Sequence, residues 1–294
     1  MSGFKDRAAV VTEASLLLAV LFLGSNFVAV KYTVGEVPPL PFVAARFTLA
    51  GLVALALVRA LEPGGEPGRR DLLAMAGVGV LGVGANNVAV TLGVSMTTAS
   101  DTALIFASVP VWGMILGSVL GLERPTRGGV LGVVVAIAGV GVVVGGGLGG
   151  SGTSLVGNLL VIAATLCWGS YAVLSLSLLE RHSPLAVAAY TMLPAGLAAW
   201  PFALAGLVGT DWGGVGGGAW AAFAYSTFFV AAFGFWAWQR GISGVGANRA
   251  LVYQYLITLV GVASGVALLG EGLTVNKIVG GVIILAGVYL ARQR

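Results

Sequence analysis

Long apolar runs separated by short polar breaks make up nearly the whole chain. The ten runs fall near 11–34, 40–60, 72–94, 98–120, 126–146, 155–178, 184–208, 218–239, 246–269 and 274–291. An α-helix needs about 20 apolar residues to cross a bilayer. The alternating ten-residue segments typical of outer-membrane β-barrels do not occur in this pattern. We therefore predict an all-α membrane protein with ten transmembrane helices.

The two halves of the chain resemble each other. With a shift of 148 positions, residues 93–140 align without a gap on residues 241–288, and thirteen positions are identical. A shift of 145 positions pairs residues 24–25 with 169–170 and 39–40 with 184–185. Because five helices is an odd number, the second copy must enter the membrane in the opposite orientation. Such inverted repeats place a substrate site between the halves near mid-membrane and indicate alternating access.

The domain boundaries follow from this repeat. The first five-helix repeat covers residues 1–147, the second covers residues 153–294, and residues 148–152 form a glycine-rich external linker. Since both halves are already fused in one chain, we expect a monomer.

Composition and charge exclude several classes of protein. Only 9% of the residues are charged and 58% are hydrophobic, whereas a soluble domain has about 25% charged residues. This excludes a soluble domain and a nucleic-acid binder. With the N-terminus inside, twelve of the fifteen Lys and Arg residues fall on cytoplasmic ends or loops, as the positive-inside rule requires. We predict that both termini are cytoplasmic.

Nothing in the sequence predicts catalysis, a metal site or a cofactor. No group of Cys, His and Asp has the spacing of metal ligands, and the only histidine, His182, lies in a polar break. The glycines of residues 77–82 resemble a dinucleotide-binding fingerprint, but no strand precedes them. We expect no enzyme activity.

Short motifs occur at matching places in the two halves. They are GSNF at 24–27, PLPF at 39–42 followed by Arg46, LERP at 122–125, WGS at 168–170 and GEGL at 270–273. In this order they resemble the drug/metabolite transporter superfamily, specifically its ten-helix EamA-type exporters and, among these, the YddG-type amino-acid exporters. The resemblance implies a bacterial inner-membrane carrier that exports amino acids and related metabolites.

Polar and aromatic residues inside the apolar runs are candidates for a substrate site. Amides within a span are costly in lipid and should face protein or water, and their donors and acceptors suit a zwitterion; alternatively they only join neighbouring helices. Aromatic rings could hold an apolar side chain, although lipid-facing bulk or helix packing would explain those of helix 8 equally. The candidates are Phe22, Asn26, Asn86, Asn87, Trp168, Tyr171, Phe229, Phe233, Trp236, Tyr253 and Gln254.

Charged and glycine residues at helix ends and crossings have further predicted roles. Lys31 and Arg46 could bind a substrate carboxylate, or snorkel to the outer interface, or pair with Glu36. Structural roles are expected for the paired glutamates, as helix caps, and for the paired glycines, as a tight crossing of helices 4 and 9 or a contact between two copies. These residues are Gly113, Gly117, Glu123, Gly261, Gly265 and Glu271.

The predicted function is export of neutral, aromatic or hydrophobic amino acids by alternating access. No span carries a carboxylate at its centre, so we expect no tight proton coupling. One alternative is a carrier for nucleotide-like, phosphorylated or drug-like metabolites, of which the phosphorylated ones would require several cations in the cavity. A channel is the other alternative, although no charged ring or carbonyl filter is evident.

Overall fold

The computed structural model describes residues 2–64, 66–121, 127–147, 154–246 and 250–292. Within these residues the chain forms ten consecutive helical spans and no strand. They are α1 (Ser2–Thr33), α2 (Pro39–Leu61), α3 (Arg69–Met96), α4 (Ala99–Val119), α5 (Arg127–Gly147), α6 (Leu155–Leu179), α7 (Pro184–Val208), α8 (Gly217–Val245), α9 (Gln254–Leu269) and α10 (Val275–Arg292). Seven of them are long and apolar enough to cross a membrane, and α5, α9 and α10 carry shorter apolar segments of 10–17 residues.

Several helix starts carry the capping residues that their sequence favours. The hydroxyl oxygen of Thr98 accepts from the N–H of Asp101 at 3.0 Å, and that of Ser183 accepts from the N–H of Ala186 at 3.0 Å. A side-chain oxygen at this position satisfies an N–H that the first helical turn leaves without a partner. At the other end of a helix, Gly270 ends α9 with a φ of +67°, which a residue without a Cβ adopts readily.

The helices of the two halves pack in reciprocal pairs. α2 packs on α7 and α5 packs on α10, while α1 packs on α8 and α9 just as α6 packs on α3 and α4. Exchanging α1–α5 for α6–α10 leaves this set of pairs unchanged, so a pseudo-two-fold axis relates the halves. This confirms the predicted membrane fold of two five-helix repeats.

Glycines show the same relation at atomic detail. A Cβ on Gly51 would lie 2.7 Å from the backbone of Leu193 in α7, and one on Gly196 would clash with the backbone of Thr48 in α2. Gly51 and Thr48 are each 145 positions before their counterparts Gly196 and Leu193. The α2–α7 crossing is therefore built twice from equivalent residues, with small residues allowing close backbone approach.

The glycines of α4 and α9, which were predicted to form a tight crossing of these helices, do not contact each other. A Cβ on Gly261 would lie 2.7 Å from Cβ of Ala103 in α4, and one on Gly265 would lie 2.7 Å from the hydroxyl of Ser100. Gly113 faces Leu251, which precedes α9, and is buried together with Gly117. The glycines of α9 thus meet the first half of α4 rather than the glycines of α4.

π-helical segments interrupt α3 and α8 at matching positions. They span Gly79–Ala85 and Tyr225–Gly234, which are displaced by about the 148 positions of the repeat. A π-segment bonds i to i+5, so it shifts which residues share a face, and such segments are frequent at functional sites. The segment in α3 contains Gly82, which packs closely against Tyr171. A Cβ added to Gly82 would lie 2.7 Å from the Cβ of Tyr171.

Polar contacts tie together the links at each end of the bundle. At one end, which we name the Glu36 end, the Glu36 carboxylate accepts from the N–H of Gly216 at 2.6 Å; α1, α3, α7 and α9 end here. At the other, the Asp71 end, the Asp71 carboxylate binds Arg181 at 2.6 Å and His182 at 2.7 Å. Because α1 ends and α6 begins at the Glu36 end, the two repeats run in opposite directions.

Candidate substrate site

A narrow cavity lies between the two repeats, from the middle of the bundle toward the Glu36 end. The space between the atoms that line it is about 530 Å³, a figure that includes the part open to solvent. Helices from both repeats form its wall. Its lining residues are Leu23, Asn26, Phe27, Val30, Arg46, Asn86, Asn87, Val90, Val94, Phe106, Trp168, Phe235, Gln254 and Ile257.

Arg46 is the charged group of this wall. It lies in α2 with 1% of its surface exposed. Its Nε donates to the carbonyl of Ser226 at 3.0 Å, and its Nη1 and Nη2 donate to Oδ1 of Asn87 at 3.4 Å and Oδ1 of Asn26 at 3.3 Å. Since each Nη carries two hydrogens, one N–H on each remains for a ligand.

No carboxylate neutralises this guanidinium within the residues that the structure describes. The ion pairs found there join Asp71 to Arg181 and His182, and Asp101 to Lys277. Instead, Arg46 lies over the ring of Phe47 with its Cζ 4.9 Å from the centroid. A buried charge without an acid is costly, and a carboxylate ligand can form two parallel hydrogen bonds with a guanidinium.

The two asparagines of α3 fix the orientation of the amide that faces Arg46. Asn86 donates through Nδ2 to the carbonyl of Ala164 in α6 at 2.8 Å. Asn87 donates through Nδ2 to the carbonyl of Val83 at 2.9 Å and to Oδ1 of Asn86 at 3.1 Å. With its donors used in this way, Asn87 turns Oδ1 toward Arg46.

Gln254 contributes an acceptor without a hydrogen-bond partner. This residue is 1% exposed and lines the cavity, and its Oε1 makes no hydrogen bond to any residue in the described ranges. A buried carbonyl oxygen without a partner costs about 1–3 kcal/mol. An ammonium group in the cavity would relieve this cost.

An aromatic wall closes the cavity toward the Asp71 end. Trp168 stacks on Tyr171 with ring centroids 5.4 Å apart and on Trp238 at 5.8 Å, and meets Phe235 edge-on at 5.2 Å. Trp168 and Phe235 reach the cavity, whereas Tyr171 lies behind Trp168 and is fully buried. The flat apolar faces can hold an aromatic or aliphatic side chain.

The structure corrects the predicted position of the helix 8 aromatics. Phe229 and Phe233 are 55% and 38% exposed and lie on the outer surface with Phe22, whose ring is 6.0 and 5.8 Å from theirs. Trp236 packs on Phe233 at 5.2 Å. The prediction assumed α-helical spacing, but these residues follow or lie within a π-segment. The shifted face brings Phe235 to the cavity instead.

Lys31 and Tyr253 also lie outside the cavity wall. Nζ of Lys31 donates to the carbonyls of Val94 at 2.8 Å and Thr97 at 2.7 Å. These are carbonyls at the C-terminal end of α3, where a cation is favoured by the helix dipole. Lys31 therefore binds a helix end rather than a carboxylate, and Tyr253 is half-buried just before α9.

Glu271 is a helix cap, but not of the helix that follows it. Its Oε1 and Oε2 accept from the N–H groups of Ala99 and Ser100, each at 2.7 Å, so it caps α4 rather than α10. Lys277 packs nearby, 3.4 Å from the Asp101 carboxylate. Glu123 and the linker 148–152 lie outside the described residues.

The repeat alignment could have revealed two lining residues that sequence reasoning missed. The shift of 148 positions pairs Phe106 with Gln254 and Asn87 with Phe235. Gln254 and Asn87 were predicted to lie at the substrate site. In a two-fold arrangement, the counterpart of a residue close to the axis also lies close to it. Both phenylalanines line the cavity accordingly.

Comparisons with known proteins agree with this architecture. A model described as "EamA-like transporter family" matches residues 12–145 and again 155–293. The chain is 27% identical to the uncharacterized transporter YyaM of Bacillus subtilis over 92% of this chain and 90% of that protein. It is 28% identical to a "probable amino-acid metabolite efflux pump" of Salmonella typhimurium, covering 93% and 92%.

Two further likenesses extend these findings. The chain is 29% identical to a "probable terminal-alkyne amino-acid exporter" of Streptantibioticus cattleyicolor over 95% of this chain and 93% of that protein. A crystal structure with 19% sequence identity superposes with a TM-score of 0.65 over 95% of this chain and 96% of the other. At that identity the superposition shows a shared fold alone.

Proposed function

We propose that this chain, which belongs to the EamA-like transporter family, exports neutral amino acids with aromatic or aliphatic side chains. It is a multi-pass membrane transporter of small molecules and not an enzyme. Support for the substrate class comes from the polar groups of the cavity. Relatives named as amino-acid exporters or efflux pumps are consistent with it.

The observation that carries the proposal is that Arg46 and Gln254 line the same cavity. A zwitterion presents a carboxylate and an ammonium group a short distance apart. Arg46 offers free N–H groups to the carboxylate, and Oε1 of Gln254 offers a free acceptor to the ammonium. Phe27, Phe106 and Ile257 line the same cavity and provide an apolar surface for the side chain.

The charges of the cavity argue against phosphorylated substrates. A phosphate monoester carries up to two negative charges and is usually held by several cations. Arg46 is the one cationic residue among those that line the cavity. A single carboxylate matches this charge better than a phosphate does.

The same cavity supports transport by alternating access without tight proton coupling. None of its lining residues is acidic, and a proton-coupled carrier generally uses a buried acid. We further propose a monomer in the bacterial inner membrane, with repeats covering 1–147 and 153–294. Both termini and the Asp71 end would then face the cytoplasm.

Flux into proteoliposomes tests this proposal. The panel contains phenylalanine, leucine, a nucleoside, a cationic drug and a sugar phosphate, with and without an imposed proton gradient. We expect saturable flux of the two amino acids that the gradient does not change. Failure to move either amino acid would contradict the substrate class, and flux that never saturates would indicate a channel.

A further inference from the structure

A second polar network is buried between the aromatic wall and the Asp71 end. The hydroxyl of Tyr171 lies 3.0 Å from that of Thr191, and Nε2 of Gln239 donates to the Tyr171 hydroxyl at 2.9 Å. Ser175 donates to Oε1 of Gln239 at 3.5 Å. All four residues are 0% exposed. The network joins α6, α7 and α8 across the second repeat.

The repeat relation places this network at the two-fold image of the cavity. The same relation is fixed by the reciprocal contacts of Gly51 and Gly196. Applied to the lining residues of α1 and α2, it identifies three of the four network residues. The pairs, each 145 positions apart, are Asn26 with Tyr171, Val30 with Ser175 and Arg46 with Thr191.

The cavity and the region of the buried network, which the two-fold axis relates, differ in that only the cavity is open. Toward the Glu36 end of Trp168, the region between α1, α2 and α3 is the cavity. Toward the Asp71 end, the equivalent region is filled by Tyr171 and Trp238, both fully buried. In a carrier built from inverted repeats, the halves exchange roles as the site opens to one side and then the other. The filled region is therefore the one that such an exchange would open.

The chemistry of the network suits a ligand that is held weakly before it moves on to Arg46. Tyr171, Thr191 and Gln239 offer neutral donors and acceptors for both ends of a zwitterion, but no charge to hold it. A neutral hydrogen bond is weaker than one to a guanidinium. A substrate bound there would dissociate more readily than one bound to Arg46.

We propose that Tyr171, Thr191 and Gln239 form a second substrate site, which we name the entry site, closed in this structure and opening at the Asp71 end, where an exporter takes up its substrate. The proposal rests on the proposed function, namely transport of a zwitterion by alternating access. Opening would also require the contacts of Asp71 with Arg181 and His182 to part, because these join the start of α3 to the α6–α7 link. Otherwise the network is only a permanent connection between helices.

Thiol labelling tests the opening without any substrate. In a Cys167→Ser background, Thr191→Cys is compared with Ala203→Cys, a position that is also 0% exposed on α7 but lies toward the Glu36 end. An impermeant maleimide is added to right-side-out and inside-out vesicles, and Glu66→Cys on the α2–α3 link marks the Asp71 end. We expect Thr191→Cys to be labelled only from that end, and Ala203→Cys from neither. No labelling of Thr191→Cys, or labelling from both ends, would overturn the proposal.

Side-specific kinetics test the binding. Tyr171→Phe keeps the ring that stacks on Trp168 and removes only the hydroxyl. We expect KM to rise about five- to tenfold for substrate presented at the Asp71 end, as for one lost hydrogen bond, with KM at the Glu36 end unchanged. A permanent connection would instead change thermal stability and leave both KM values equal to those of the unmodified protein, which would overturn the entry site. If the unmodified protein moves no amino acid, the proposed function fails, and the labelling still decides whether the site opens.

Discussion

Nη2 of Arg46 donates a hydrogen bond to Oδ1 of Asn26 across 3.3 Å. The same oxygen accepts from the hydroxyl of Ser226 at 2.7 Å, and the carbonyl of Ser226 accepts from Nε of Arg46 at 3.0 Å. These three residues lie in α2, α1 and α8, respectively. Their hydrogen-bonded cluster therefore joins both repeats at the cavity wall. A ligand that binds Arg46 would therefore lie where side chains of the two repeats meet.

Arg46 should be needed for its geometry as well as its charge. Arg46→Lys keeps the charge but loses the planar pair of donors, and Arg46→Gln loses both. We expect KM for a neutral amino acid to rise about tenfold or more in Arg46→Lys and further in Arg46→Gln, since a charged hydrogen bond contributes about 1.5–3 kcal/mol. Flux in proteoliposomes measures this. Equal KM in all three proteins, at equal amounts of folded carrier, would show that Arg46 is structural.

Gln254 should determine the requirement for a free amino group. Gln254→Leu has a similar shape and removes the unpartnered Oε1. We expect the unmodified protein to reject N-acetyl amino acids, because acetylation removes the ammonium group whose N–H would donate a hydrogen bond to this oxygen. The variant should discriminate about tenfold less between the free and N-acetyl forms. Competition against radiolabelled substrate measures the ratio, and an unchanged ratio would place the ammonium elsewhere.

Two phenylalanines of α8 should behave oppositely. Phe235 is 3% exposed and lines the cavity, whereas Phe229 is 55% exposed on the outer surface. Phe235→Ala should lower flux severalfold by removing part of the aromatic wall. Phe229→Ala should leave flux within about twofold of the unmodified protein, since substitutions at exposed positions usually have small effects. Reversal of this order would mean that the face of α8 is wrongly assigned.

The α2–α7 crossing should be sensitive to a single methyl group. A Cβ on Gly51 would lie 2.7 Å from Leu193, whereas nothing lies within 4 Å of one on Gly77. Gly51→Ala should destabilise the protein by about 1–3 kcal/mol, as overpacking does. The matched change Gly77→Ala should not destabilise it, because alanine favours a helix. Thermal unfolding in detergent compares the two, and equal melting temperatures would contradict the tight crossing.

The architecture follows closely from the sequence because its determinants are local or repeated. Run length predicts spans through the thickness of the bilayer, and the shift of 148 positions aligns Glu123 with Glu271 independently of apolar composition. The cost of amides in lipid led to Asn26, Asn87 and Gln254, which line the cavity. In each case a single cause, such as bilayer thickness or the cost of an amide in lipid, largely determines the position of the helix or residue.

The remaining details depend on contacts that the sequence does not encode locally. The face of α8 depends on a π-segment, which forms where packing favours it and which α-helical spacing does not predict. For Glu271, its type and position indicate a cap, but only the packing of α9 on α4 selects Ala99 and Ser100 as donors. Lys31 likewise has a helix end within reach only once α1 packs beside α3.

Equilibrium binding to the purified protein tests most directly whether Arg46 recognises a substrate carboxylate. Isothermal titration compares phenylalanine with phenylalanine carboxamide, which keeps the ring and the amino group but loses the negative charge. The account predicts that the amino acid binds and that the carboxamide binds at least about tenfold more weakly. Equal affinity for the two compounds, or binding of neither, would contradict it.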